Sequence, residues 1–150
     1  MHLDFGGVEE IAASDERIRA FVMDARQVAS CIPDSQNFSK IDEFHFTLDV
    51  KIGVGVVSGL FAMAVELKDL GQGRYLYTIH GGGSGSRIDI ALNINVASSK
   101  GNSTAVEWSS TADLKGIISG LGEQIIKQVT HSEIGRILEN AKKKIEMVQG

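Results

Sequence analysis

Between Phe44 and Val56 every second residue is apolar: Phe44, Phe46, Leu48, Val50, Ile52, Val54 and Val56. His45, Thr47, Asp49, Lys51, Gly53 and Gly55 stand between them. Successive strand side chains point to opposite faces, so a sustained period of two specifies a strand with one dry face and one wet face. A sheet built from such strands must have its apolar face covered by another layer. The alternation returns in Phe61, Met63, Val65 and Leu67, in Tyr75, Tyr77 and Ile79, and in Ile88, Ile90, Leu92, Ile94 and Val96. It returns once more in Thr104, Val106, Trp108, Ser110 and Ala112. The glycines at 53 and 55 are expected to bend the first of these strands, and Asp69 to Gly73 to form a hairpin turn.

The flanks follow other rules. Leu3, Phe5, Val8 and Ile11 predict a first strand over 2–12, with a bulge at Gly6-Gly7. Ser14-Asp15-Glu16 predicts a helix start, and Ile18, Phe21 and Val22 continue at helical spacing. A second short helix is expected from Asp24 through Val28 and Cys31, closed by Pro33. Phe38 and Ile41 mark the next strand. After Asp113 the period changes: Ile118, Leu121, Ile125, Val129, Ile134, Ile137, Leu138, Ala141, Ile145 and Val148 fall three or four apart. One helix over 117–148 would be about 48 Å long. Thr130-His131-Ser132-Glu133 resembles a capping box and predicts a kink near 130.

The order is therefore strand, two short helices, about six strands and a long final helix, one domain over 1–150. Seven strands span about 29 Å, whereas one helix is about 10–12 Å across. A flat sheet would leave apolar surface wet; a strongly curved one wraps the helix, and 17 glycines against 1 proline permit the curvature. The fold class predicted is α+β, a curved antiparallel sheet of about seven strands around a C-terminal helix. The core-facing residues Phe46, Leu48, Val50, Phe61, Met63, Trp108, Leu121 and Ile125 then either fill the space between sheet and helix or line a cavity for an apolar ligand. The bulk of Phe44, Phe46, Phe61, Met63 and Trp108 favours filling; the small Ser119, Gly120 and Gly122 favour room.

Composition excludes several function classes. A net charge of −4 and a 6% aromatic content supply neither the basic footprint nor the stacking residues of a nucleic-acid binder. A single cysteine, Cys31, builds no disulfide and no thiolate metal site, and reads as a buried small hydrophobe. The four histidines have no partners at ligand spacing and read as surface residues, so no metal site is expected. Gly81 to Ser86 leads into a strand, not a helix, and reads as a mobile hairpin loop, not a phosphate loop. Asp113 with Lys115, or Glu107 with Arg87, fall on outward positions, and no catalytic residue is assigned. Lys142-Lys143-Lys144 suits a helix C-terminus. No apolar run is long enough to span a bilayer, and the chain is expected to be cytoplasmic, with at most peripheral membrane contact.

This order, together with Phe5-x-Gly7, Cys31-Ile32-Pro33, Gly53-Val54-Gly55-x-x-x-Gly59-x-Phe61, Trp108-x-x-x-Ala112 and Gly116-x-x-x-Gly120-Leu121-Gly122, resembles the helix-grip or START-like superfamily. That superfamily includes the Bet v 1 plant allergens and the coenzyme Q-binding proteins. More narrowly, the chain resembles the carbon monoxide dehydrogenase G-subunit family. Asp34 stands where that family usually has glycine, and some members carry an anchor-bearing extension beyond the position of Gly150, so direct membrane anchoring is not expected here. The resemblance implies a hydrophobic cavity with a quinone or lipid-like ligand and no other cofactor. It also implies an accessory role to a molybdenum-hydroxylase-type redox enzyme rather than catalysis. A small hydrolase or cyclase using the same cavity, and an assembly factor acting through its surface, are the alternatives.

Overall fold

The computed structural model describes residues 1–147; the expected helical position Val148 lies outside them. The first strand, β1 (His2–Ile11), is followed by helices α1 (Asp15–Val22) and α2 (Ala25–Ser30). Six strands come next: β2 (Ser35–Asp42), β3 (His45–Val54), β4 (Val57–Gly71), β5 (Arg74–Gly83), β6 (Ser86–Val96) and β7 (Thr104–Gly116). A 3₁₀ helix (Ile117–Leu121) leads into α3 (Glu123–Met147). The strands form one antiparallel sheet in the order β1-β7-β6-β5-β4-β3-β2, so the chain closes its first strand onto its last. This is the helix-grip α+β arrangement.

Each short helix begins where its capping residue stands. The Ser14 side chain accepts the Arg17 amide, and the Asp24 side chain accepts the Gln27 amide. Both helices cover one end of the sheet. Ile18, Phe21, Val22, Ala29 and Cys31 pack there with Phe46, Leu48, Val65, Leu67, Tyr75, Tyr77, Val96 and Val106. A smaller cluster fills the opposite end, where Ile118 and Ile126 meet Leu3, Val57, Phe61, Ile88 and Leu114.

Four local expectations are corrected. Gly6 and Gly7 form no bulge; they stay in register with Ser109 and Trp108. The alternating run stops at Val54, because Gly55 at φ +58 opens a two-residue hairpin that returns the chain at Val57. A glycine at the first central position suits the mirror-image turns that match strand twist. Gly55 thus reverses the strand rather than bending it, and Val56 at the tip is 81% exposed. Gly81, Gly82 and Gly83 belong to β5, and the connection is only Ser84-Gly85, both at positive φ. Their lack of side chains serves close packing: a Cβ on Gly81 would collide with Met63 Sδ, and one on Gly83 would lie 2.6 Å from the Leu60 carbonyl oxygen. Finally, α3 runs unbroken through residue 130. The irregularity lies earlier, in the 3₁₀ helix between Gly116 (φ +84) and Gly122 (φ +93).

Candidate functional groove

The register fixes which side chains share the face under α3. Across the centre of the sheet Tyr77, Leu92, Ser110 and Phe5 stand in one row. Tyr75, Ile94, Trp108 and Gly7 stand in the row on one side of it, and Ile79, Ile90, Ala112 and Leu3 in the row on the other. On β4 and β3 the face continues through Leu67, Val65, Met63 and Phe61, and through Phe46, Leu48 and Val50.

These positions are not equally buried. Phe46, Leu48 and Phe61 are 3%, 2% and 0% exposed. Val50, Met63, Ile79, Ile90, Leu92, Ile94, Trp108 and Phe5 are only half-buried. Strands β4 to β7 each have a neighbour on both sides, so an inner-facing side chain on them reaches solvent chiefly from the α3 side. The two packed clusters therefore bracket a less tightly filled stretch. Met63 touches both clusters, whereas Trp108 belongs to neither among the described residues. On α3, Ile126 joins one cluster, and Ile137, Ala141 and Ile145 join the other. Val129 and Ile134 between them are half-buried.

Seven of the eight residues expected to line the cavity thus face the space between sheet and helix, with Leu121 half-buried against the second cluster. The eighth is corrected: Ile125 is 49% exposed, and Ile126 takes its place at 4%. The expected phase assumed one helix from 117. The 3₁₀ turn has three residues per turn and Gly122 interrupts it, so the helical phase restarts at Glu123. Periodicity in β5 and β6 already pointed Ile79, Ile90, Leu92 and Ile94 inward. Nothing in the sequence alone ranked their burial below that of Phe46 or Phe61.

The two ends of the groove differ in covering. At the α1–α2 end, Arg17 Nε donates to the Ile145 carbonyl at 2.8 Å and Asn140 Nδ2 to the Cys31 carbonyl at 3.0 Å. There, too, Lys144 Nζ donates to Ser30 Oγ at 2.5 Å. The Tyr77 hydroxyl donates to the Val22 carbonyl, and burial pushes its pKa well above the ordinary phenol value. Burial also raises the Cys31 thiol, which is 1% exposed, so it behaves as a packed hydrophobe. At the other end, Val56, Leu60, Ile117 and Ile125 are 81%, 46%, 53% and 49% exposed. The hairpin tips abut the 3₁₀ helix: a Cβ on Gly55 would lie 3.2 Å from Leu121 Cδ2, and the Ile117 amide donates to the Gly85 carbonyl, whereas Leu60, next to inner-facing Phe61, stands on the outer face.

Polar chemistry lies mostly on the outer face. His2 bonds Asp113 at 2.8 Å and Asp4 at 2.9 Å; His45 bonds Asp42 at 2.8 Å and Glu66 at 3.0 Å; His80 bonds Asp89 at 2.6 Å. The carboxylates raise the pKa of His2, chiefly through Asp113, and of His45, chiefly through Asp42. His45 and His80 in turn lower Asp42 and Asp89. These groups are solvated pairs, and no described cluster of His, Cys, Asp and Glu is arranged to hold a metal ion. Two shallow outer depressions, of about 430 and 420 Å³, lie on this wet side, one over Arg74, Asn95 and Glu107 and the other over His80 and Arg87. On the inner phase of the strands the polar groups include the Tyr75 and Tyr77 phenols, Glu9 opposite Val106, Thr104, whose hydroxyl donates to the Ala13 carbonyl, Ser110, and the Trp108 indole N–H, whose Nε1 is buried without a hydrogen-bond partner.

A sequence model of the carbon monoxide dehydrogenase G-subunit (CoxG) family matches residues 7–146. The chain belongs to that family. Solved structures place the fold in the wider START-like group. A conserved protein from Geobacillus kaustophilus superposes with a TM-score of 0.86 at 20% identity, covering 95% of each chain. A START superfamily protein from Mycobacterium smegmatis gives 0.78 at 12% identity, covering 99% of this chain and 100% of that one. Norcoclaurine synthase from Thalictrum flavum, in complex with dopamine and hydroxybenzaldehyde, gives 0.66 at 14% identity, covering 100% and 90%. No protein of curated function matches the sequence. Among the described residues of this CoxG-family chain, no helix is long and apolar enough to cross a membrane.

Proposed function

We propose that this CoxG-family protein is a non-enzymatic binding protein that holds an apolar, quinone- or lipid-like molecule between the curved sheet and α3. In this reading it serves, in the cytoplasm, a molybdenum-hydroxylase-type redox enzyme such as carbon monoxide dehydrogenase. The observation that carries the reading is the band of half-buried apolar side chains on the inner faces of interior strands: Met63, Ile79, Ile90, Leu92, Ile94 and Trp108. Side chains at such positions in a filled core are packed dry, as Phe46 and Phe61 are. Burying a flat apolar molecule against them would release water at about 25 cal/mol per Å². The exposed apolar rim at the 3₁₀ end supplies a way in.

A carrier fits better than a catalyst. Norcoclaurine synthase supports an enzyme on a related fold, but here the Tyr77 hydroxyl is committed to a backbone carbonyl. The histidines of the sheet all sit on its outer face, paired with carboxylates. Acid–base work needs groups within reach of one bound substrate. Native mass spectrometry of gently purified protein, with solvent extraction of what it carries, tests the proposal. An apolar adduct released on extraction is expected. Protein that carries none, and takes up neither a ubiquinone nor a menaquinone analogue, would refute it.

A further inference from the structure

The sheet is open, so β1 and β2 each have one edge without a strand partner. An uncovered edge offers a row of backbone N–H and C=O groups to any extended chain, and proteins commonly blunt it with bulges, lysine, proline or a covering element. β2 is blunted. Its register against β3 slips between Gln36 and Ser39 and again between Lys40 and Asp42, Asn37 sits at φ +58, and Lys40 stands within the strand. β1 has none of these devices. It pairs with β7 from His2 to Ile11 without a slip and contains no proline, lysine or arginine.

The free groups can be named. The Met1 amine donates to the Leu114 carbonyl and the Leu114 amide to the Met1 carbonyl, so these two residues form a mutually bonded pair. Bonded and non-bonded pairs alternate along an antiparallel ladder. Leu3, Phe5, Gly7, Glu9 and Ile11 therefore bond β7, and the N–H and C=O of His2, Asp4, Gly6, Val8 and Glu10 point away from it. All of the latter are exposed, and none makes a backbone hydrogen bond elsewhere among the described residues. Gly6 has no side chain to shield the edge, and Val8 is 59% exposed.

The edge is also acidic. β1 carries Asp4, Glu9 and Glu10, Glu107 of β7 stands opposite Val8, and Glu146 of α3 accepts the Ala12 amide just beyond the strand. His2 is the one titratable cation of β1, and Asp4 and Asp113 already hold it. A second copy of this chain would set Asp4, Glu9 and Glu10 of both protomers along one seam, and like charges facing each other across a strand pair destabilise it. Cationic side chains would instead meet carboxylates at both ends of the edge.

We propose that the β1 edge is a docking site for an extended, lysine- or arginine-bearing segment of a partner protein, which adds to the sheet as a further strand beside β1. Main-chain hydrogen bonds to Asp4, Gly6 and Val8 supply the pairing, and cations facing Asp4, Glu9 and Glu10 set the choice of partner. The edge lies outside the groove, so this surface is independent of the carrier reading.

The probe is the peptide acetyl-Lys-Lys-Val-Thr-Thr-Val-Lys-amide, whose lysines fall opposite Glu10, Glu9 and Asp4 in an antiparallel pairing. Its control carries glutamate in place of each lysine. In amide NMR of the whole chain, the lysine peptide should move the Asp4, Gly6 and Val8 resonances along a saturable curve, and the control should leave them in place. Val8→Pro removes one outward N–H without touching the ladder to β7, at a kind of position where edge strands tolerate proline, and should weaken the lysine peptide about tenfold. Glu9→Gln combined with Glu10→Gln should weaken it too, as should added salt. Circular dichroism establishes that each variant is folded, and the glutamine variant carries the test if Val8→Pro is not. No movement at β1, equal movement by both peptides, or binding unchanged in every folded variant overturns the proposal. Resonances of β1 that move with protein concentration in the absence of peptide assign the edge to a second copy, which overturns it as well.

Discussion

The two ends of the groove are built from the same strands and finished differently. At the α1–α2 end, aromatic and aliphatic side chains pack to near-complete burial, and hydrogen bonds from Arg17 and Asn140 tie α3 to the segments around α1 and α2. At the 3₁₀ end the backbone is equally ordered by turns, but Val56, Ile117 and Ile125 are left in water. The contrast teaches that rigidity and closure are separate properties here. One end is a closed plug; the other is a packed cluster edged by exposed apolar residues, and in the carrier reading a ligand would enter there.

The contrast can be broken first by substitution in the plug. Phe46→Ala, at a site 3% exposed, should cost about 3–5 kcal/mol in urea denaturation. A loss under about 1 kcal/mol would mean that this end is as loosely filled as the stretch between the clusters. Next comes the frame of the rim. Gly116 lies at φ +84, and a Cβ there would collide with the Gly85 carbonyl oxygen, so Gly116→Ala should cost about 2–3 kcal/mol. An unchanged stability would show the rim to be pliable rather than firm.

Much of this division could be read from the sequence, and its failures have identifiable causes. Period-two alternation placed five of the seven strands, β3 to β7, because a strand with one buried face must repeat its apolar residues at that interval. Capping placed α1 and α2 through Ser14 and Asp24. The alternation could not show where one strand ends and its hairpin partner begins, since Val54 and Val56 obey the same rule on either side of the Gly55 turn. It also could not reveal that Gly81 and Gly83 are small to admit Met63 and Phe61, because that need arises from a neighbouring strand. Ile125 was misplaced because a break in helical phase at Gly122 leaves the three-and-four spacing almost intact. Candidate lining residues were legible as inner-facing, but their partial burial depends on how α3 sits over the sheet. The unpartnered Trp108 N–H is a property of three-dimensional packing and has no signature in spacing.

Smaller effects sharpen the comparison. Tyr77→Phe leaves the Val22 carbonyl without its buried donor and should cost about 1–2 kcal/mol, by thermal denaturation, without altering ligand uptake. Val56→Ser at the rim should change stability by no more than about 0.5 kcal/mol while slowing ligand uptake in stopped-flow mixing. Uptake unaffected by Val56→Ser but altered by Tyr77→Phe would reverse the assignment of plug and opening.

The smallest effect concerns His45, which bridges Asp42 and Glu66 beside the plug. Its folded pKa is raised above 6.5, so its contribution is fully present below the unfolded value and is lost as pH rises through the folded one. A small decline in stability should therefore begin as pH climbs past 6.5, and His45→Gln should remove that component. A decline unchanged in His45→Gln would assign it elsewhere.

Trp108 is the chain's single tryptophan and stands on the inner face of the groove, so its emission reports occupancy directly. Titration with a short-tailed menaquinone analogue should quench that emission along a saturable curve reaching one ligand per chain. Quenching that rises linearly with concentration and never saturates, as from random collision, would contradict a ligand held between the sheet and α3.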